Sequence, residues 1–217
     1  DFDTGAYYST YISSRDINGA GTADRVYVLN SDGDLKSYYF DVNETPTNYG
    51  NLVGIPWAYE ESGNTYVVYV GTTNGYIFKL IDNPATQTLT IAPGWDPPSK
   101  VADAITSDII SDGTNLYFGC IIAGLPRLYG YIIASKSQLF NVSVPSAIRT
   151  MPAWDIGSGR TYLFTGSDYD VLAANAYVYR TEAIVSATTV ENTTPVADVT
   201  AAISVINSRL HVGDAAG

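Results

Sequence analysis

The stretch "NTYVVYVGTTNGYIFKLID", residues 64 to 82, decides the fold. From Tyr66 to Val70 every residue is β-branched or aromatic, the composition of a strand rather than a helix. "GTTNG" follows, and its Asn-Gly pair tolerates the positive φ that a tight hairpin turn demands. Apolar residues resume from Tyr76 to Asp82, so the two runs predict a β-hairpin. Upstream, "LVGIPWAYE" (52–60) reads as a preceding strand, with "ESGN" turning into the hairpin. Downstream, "QTLTIA" (87–92) reads as a fourth strand.

The central motif recurs. "RVYVLNSDG" (25–33), "NLYFGC" (115–120), "TYLFTGSD" (161–168) and "RLHVGD" (209–214) align with it, and the equivalent positions Leu29, Gly71, Gly119, Gly166 and Gly213 lie 42, 48, 47 and 47 residues apart. A strand-built repeat of that length is the signature of propeller blades. The flanking strands recur too. "AITSDIIS" (104–111), "RLYGYIIAS" (127–135) and "SQLFNVSV" (137–144) surround the third copy, and "RTMPAWDI" (149–156), "NAYVYR" (175–180) and "AIVSATTV" (183–190) surround the fourth.

The expected architecture is therefore an all-β propeller of about five four-stranded blades in a single domain over residues 1–217. Its units run roughly 9–48, 52–92, 103–144, 149–190, and 198–217 plus 1–8. The last unit holds only "VTAAISVI" (199–206) and the "RLHVGD" strand, so it is incomplete or closed by the N-terminal "DFDTGAYY". A piece of a larger ring is the alternative. Alanines in "VADVTAAISVI" favour helix, but its β-branched residues and its place in the repeat favour strand.

Composition excludes several functions. The net charge of −11, with no cluster of Lys or Arg, is wrong for nucleic acid, which needs basic side chains to displace phosphate counterions. Only 15% of residues are charged, while Tyr is abundant at 18, so neutral polar groups carry the solubility. No apolar run approaches the length of a membrane span, so no membrane insertion is expected. The first ten residues have no signal-peptide pattern, and the reading is of an exported chain whose signal has been removed. Cys120 stands alone, which excludes an intramolecular disulfide and suggests a small core residue. His211, the one histidine, alternates with Leu210 and Val212 as a strand position rather than announcing a catalytic triad. No phosphate-binding glycine loop and no zinc spacing is present.

One loop has a metal-binding layout. In "RDINGAGTADRVYVLNSDG" (15–33), Asp16, Asn18 and Asp24 place oxygen-bearing side chains around Gly21, as in a short calcium loop. Calcium takes 6 to 8 oxygens, so three side chains would need backbone carbonyls to complete the shell. The competing reading is that Asp16 and Asn18 form Asx-turns and the glycines merely join two strands. Elsewhere, "NSDGD", "TTNG" and the Asp168/Asp170 pair in "SDYD" read as hairpin turns. Trp57 in "IPWAYE" and Trp154 in "MPAWDI" hold matching places and suggest blade packing, or alternatively ligand stacking. Sequons occur at Asn43, Asn141 and Asn192.

Residues 15–41, "RDINGAGTADRVYVLNSDGDLKSYYFD", resemble a blade of the propeller domain in type IV pilus tip-associated adhesin and biogenesis proteins: an Asp-bearing turn, a strand, a second turn with Gly, and an aromatic strand ending in Phe-Asp. Residues 64–82 look equally like the strand pair of pyrroloquinoline-quinone-type repeats, with no quinone-binding residues to assign. The resemblance spans about two of the five units. It implies an extracellular or cell-surface propeller that works by attachment to a protein or host-surface glycan receptor, with Ca2+ held by Asp16, Asn18 and Asp24. Ala20 and Thr22 depart from the acidic pattern of such loops. No catalysis is expected. Two other readings are a structural subunit that self-assembles through open blade edges, and a glycan-active enzyme using Asp108 and Asp155 in the propeller funnel as acid and base.

Overall fold

A computed structural model describes residues 9–15, 23–31, 35–42, 49–62, 65–83, 85–150, 152–157, 160–166, 178–182, 187–192, 204–206 and 209–211. Among the described residues there are strands and no helix, arranged in five antiparallel sheets that follow one another in the order of the repeats. The all-β, propeller-like class expected from the sequence is the one adopted, because its unit is the consecutive antiparallel meander. The chain divides into two compact units, Asp1–Val101 and Ala102–Gly217.

In the first unit, β1 (Ser9–Arg15), β2 (Ala23–Ser31) and β3 (Leu35–Asp41) form a meander. The second sheet contains β4 (Leu52–Ser62), β5 (Thr65–Thr72), β6 (Tyr76–Asn83), β7 (Thr88–Ile91) and β8 (Ser99–Lys100). The hairpin read from residues 64–82 is present as β5 and β6, with Gly71 opposite Ile77 and Gly75 at φ 76° in the turn. Alternate residues Val68, Val70, Phe78, Leu80 and Leu89 form one face, packed with Val26 of β2, with Val42 just after β3, and with Tyr49 and Leu52. Phe78 meets Phe40 at 5.9 Å and the edge of Tyr49 at 5.3 Å between ring centroids. The opposite face is buried too: Val67, Tyr69 and Ile77 have no exposed surface. Both faces being covered explains why "YVVYV" is continuously apolar instead of alternating.

The outer edge of β6 differs from the single fourth strand expected. β7 pairs with residues 80–83 and β8 with Tyr76 and Ile77, so two short pieces share one edge. The chain between them turns through Ala92, whose N–H donates to the Lys79 carbonyl at 2.8 Å. It also buries Trp95, which stands edge-on to Tyr69 at 6.0 Å.

In the second unit the third sheet comprises β9 (Ala104–Ile105), β10 (Ile110–Ser111), β11 (Asn115–Ile122), β12 (Leu125–Ile132) and β13 (Ser137–Ser143). The fourth is β14 (Ala153–Gly157), β15 (Arg160–Gly166), β16 (Val178–Glu182) and β17 (Ala187–Asn192), in sequence order. β18 (Ser204–Ile206) and β19 (Arg209–His211) pair last. Residues 1–8, expected to close the final blade, and residues 199–203 of the 199–206 segment read as strand lie outside the described residues.

Two glycines of the third sheet are there for close approach. A Cβ on Gly130 would lie 2.6 Å from the Phe140 ring, which stacks with Tyr117 at 6.1 Å across the glycine's strand. A Cβ on Gly119 would lie 2.6 Å from the Ile148 Cβ and 3.0 Å from its carbonyl oxygen. That contact is held from the side by Thr106, whose hydroxyl donates to the Ile148 carbonyl at 2.7 Å. Gly130→Ala is expected to cost about 1–3 kcal/mol, the usual penalty of overpacking. Gly119→Ala should cost more, because backbone must shift as well as a side chain. Urea midpoints at unchanged slope are the measurement, and the reverse order would contradict this packing.

Candidate functional site

The first strands of the second and third sheets share a defect. In β4, Val53 lies opposite Gly71, but the next paired residue is Trp57, opposite Tyr69. Gly54, Ile55 and Pro56 thus face the single residue Val70. In the third sheet, the Thr106 N–H donates to the Gly119 carbonyl at 2.9 Å and the next pair is Ile110 with Tyr117. Ser107, Asp108 and Ile109 thus face only Phe118. Gly71 and Gly119 are equivalent positions of the repeat, so the two bulges fall at the same register. In the fourth sheet β14 starts only at Ala153, opposite Phe164 and behind the buried Pro152.

Each bulge is built from local chemistry. Gly54 takes φ 68°, a conformation that favours glycine. Pro56 has no N–H to leave unsatisfied in the interrupted ladder. In the third sheet the Ser107 hydroxyl accepts the Gly119 N–H at 2.8 Å and donates to the Asp108 carbonyl at 2.9 Å, replacing the backbone acceptor that the bulge removes. The third residue of each bulge, Pro56 and Ile109, is buried, whereas the middle one is turned outward: Ile55 is 65% exposed and Asp108 half-buried. Bulges re-aim side chains, and they are frequent beside functional sites.

This register corrects two sequence expectations. Trp57 lies opposite Tyr69, two residues before Gly71, whereas Trp154 lies opposite Leu163, three before Gly166. They therefore hold register positions of opposite parity rather than matching places, because "MPAW" has one residue more than "IPW" after equivalent prolines. The Trp57 indole Nε1 is sealed from solvent with no acceptor among the described residues, which suits packing better than stacking on a ligand. Asp155 lies on β14, a first strand as the sequence predicts; the register corrects Asp108 and its level relative to Asp155. Asp108 sits in the bulge, while Asp155 pairs with Tyr162, a position whose counterpart in the third sheet faces Asp112. Asp108 faces Phe118, one residue before Gly119, whereas Asp155 faces a residue four before Gly166, so the two backbone positions lie three ladder levels, about 10 Å, apart in register.

Of the calcium-loop residues, Asp16 and Asn18 lie outside the described residues. Asp24 is in β2, where Ser14 pairs with Arg25 and Arg15 with Ala23, making Asp24 the extra residue of a bulge at the mouth of the β1–β2 connection. Among the described residues no three His, Cys, Asp or Glu side chains gather as a metal site. Asp168 and Asp170 are outside the described residues. His211 is in β19 opposite Ser204. Trp95 and the repeated bulge went unread; the signals were an aromatic inside the turn-rich "APGWDPP" and the recurrent Pro56 and Pro152.

Two electrostatic sites are well defined. Cys120 is buried beside Arg127, its register partner. Burial pushes the thiol up to about 12 and Asp103 adds to this, while Arg127 pulls it down, so it stays a neutral packing group. Asp112, in the turn between β10 and β11, is held below its usual value. Partial desolvation would raise it, but the carboxylate accepts the Asn115 N–H at 2.6 Å, the Tyr117 hydroxyl at 2.8 Å, the Thr114 N–H at 2.8 Å and the Asn115 amide at 3.2 Å. Burial and then this carboxylate push the Tyr117 hydroxyl up, keeping it a donor. A lowered folded value means that the turn's contribution is complete above the usual 3.8 and is lost as pH falls through the folded value. Asp112→Ala should cost about 1 kcal/mol at neutral pH, kept modest by solvent screening, and the cost should shrink in acid. Melting curves from pH 7 down to about 2.5 test this, and a pH-independent difference would refute it.

No family model matches the chain, and no curated protein matches it. Among solved structures, the chain is similar to Bacteroides ovatus Xyloglucan PUL GH43B, at 12% identity and a TM-score of 0.41 over 86% of this chain. It is also similar to BamB from Moraxella catarrhalis, at 15% identity and a TM-score of 0.39 over 89% of this chain. The matches span 41% and 65% of those two proteins. No residue role is transferred from either.

Proposed function

We propose that this chain is a non-catalytic binding module of an extracellular or cell-surface assembly, of the attachment kind implied by its resemblance to type IV pilus tip-associated proteins. The receptor is a protein or a host-surface glycan. It is held by the β4 bulge of the first unit, where Ile55 is exposed. The supporting observation is the recurrence of the bulge at one register in successive repeats. A frame buried on both faces there turns out a middle residue, apolar in Ile55 and acidic in Asp108, so contact groups vary while their positions stay set. In the same reading Ca2+ is held by Asp16, Asn18 and Asp24. Asp24 is the extra residue of a backbone bulge at the mouth of the loop, where the ladder pairing is interrupted.

Calorimetric titration with CaCl2 should show one saturable site, with Asp24→Asn weakening it by about tenfold or more and Asp112→Asn leaving it unchanged. Beads carrying the chain should be retained on surfaces coated with glycans or extracellular proteins, and Ile55→Ser should reduce that retention severalfold. Absence of calcium uptake removes the metal from the reading. Release of sugar from the glycans without bead retention overturns the attachment reading in favour of a funnel enzyme.

A further inference from the structure

The hairpin turn Asn74–Gly75 joins a reactive sequence to an unusually complete clamp. Asn followed by Gly is the dipeptide most open to spontaneous deamidation, since glycine has no side chain to hinder the approach. The Gly75 nitrogen gives up its proton and bonds to the Asn74 side-chain carbonyl carbon. The bond from that carbon to the amide nitrogen breaks and ammonia leaves. Water then opens the resulting succinimide to aspartate or isoaspartate. The step needs a Gly75 N–H free of its acceptor and an Asn74 side chain able to swing over it.

Both conditions are denied here. The Gly75 N–H donates to the Thr72 carbonyl at 2.9 Å, and the next N–H, of Tyr76, donates to the Thr72 hydroxyl at 3.2 Å. The Asn74 side chain lies against Gly50, where a Cβ would come within 2.8 Å of its Cγ. Gly50 itself takes φ 88° and so presents bare backbone to the turn. A reciprocal pair fixes the two segments: the Thr73 N–H donates to the Asn51 carbonyl at 2.8 Å, and the Asn51 N–H donates to the Thr73 hydroxyl at 2.9 Å. From the other side, the Lys100 ammonium donates to the Asn74 carbonyl and lies 4.8 Å from the centre of the Tyr76 ring.

We propose that Asn74 is a latent covalent modification site, kept as an amide by the seat at Gly50 and Asn51 and converted to aspartate or isoaspartate only when that seat opens. The conversion adds a negative charge, and isoaspartate adds a backbone carbon to the β5–β6 turn, so it records opening irreversibly. This inference is independent of the receptor reading.

The test follows deamidation of Asn74 by peptide mass spectrometry during incubation in mildly alkaline buffer. The folded chain should react roughly tenfold or more slowly than the same chain in urea, the ratio reporting local opening. Gly50→Ala should accelerate conversion in samples whose far-UV spectrum shows the fold intact. If Gly50→Ala does not fold, Thr73→Val, which removes the acceptor for the Asn51 N–H, takes its place. Equal rates in folded and unfolded wild type, or a wild-type rate in a folded clamp variant, would overturn the proposal.

Discussion

Burial of both faces is the constraint from which the rest of the second and third sheets follows. A sheet with one wet face can alternate polar and apolar residues, but one covered on both sides must supply apolar groups at every position of its central strands. Val67 and Tyr69 on one face of β5, and Val68 and Val70 on the other, are fully or almost fully buried. In β11 the same holds for Leu116, Tyr117, Phe118 and Cys120. Fully burying such a side chain is worth about 1.5–3 kcal/mol, so these two strands carry much of the driving force of folding. No single sheet of this kind could stand alone in water, which is why the motif is repeated along the chain.

Dense burial on both faces leaves little room for adjustment, and the glycines and bulges absorb what remains. Gly119 and Gly130 let Ile148 and Phe140 come close enough that any side chain there would collide. At the edge, the first strand of each of these sheets gives up its ladder for three residues and repairs the loss locally, through proline in one case and the Ser107 hydroxyl in the other. An interrupted edge is also a poor template for pairing with another chain. The same irregularity that guards the edge brings Ile55 to the surface.

The hairpins, their turns and their order were legible because each depends on residues close in sequence. β-branched and aromatic runs set the strands, and Asn-Gly or Asp-Gly set the turns between them. The period between Gly71, Gly119 and Gly166 was legible for the same reason, each unit repeating one local pattern. Trp57 and Trp154 do not match because Ala153 adds one residue between the proline and the tryptophan, and a slip of one reverses parity. The strand read over 104–111 divides into β9 and β10 because Ser107 can satisfy the Gly119 N–H, a bond spanning twelve residues.

By itself, then, the sequence determined strand content, hairpin order and repeat length, all consequences of local backbone preference and of continuous β-branched and aromatic runs bounded by turn residues. Tertiary structure decided the remainder: which glycines are contact points, where first strands break, how Trp95 comes to stand edge-on to Tyr69, and how Asn74 is held against Gly50. Those outcomes depend on distances between segments far apart in the chain. A residue's own chemistry states what it can do, and only its neighbours in space state whether it is able to.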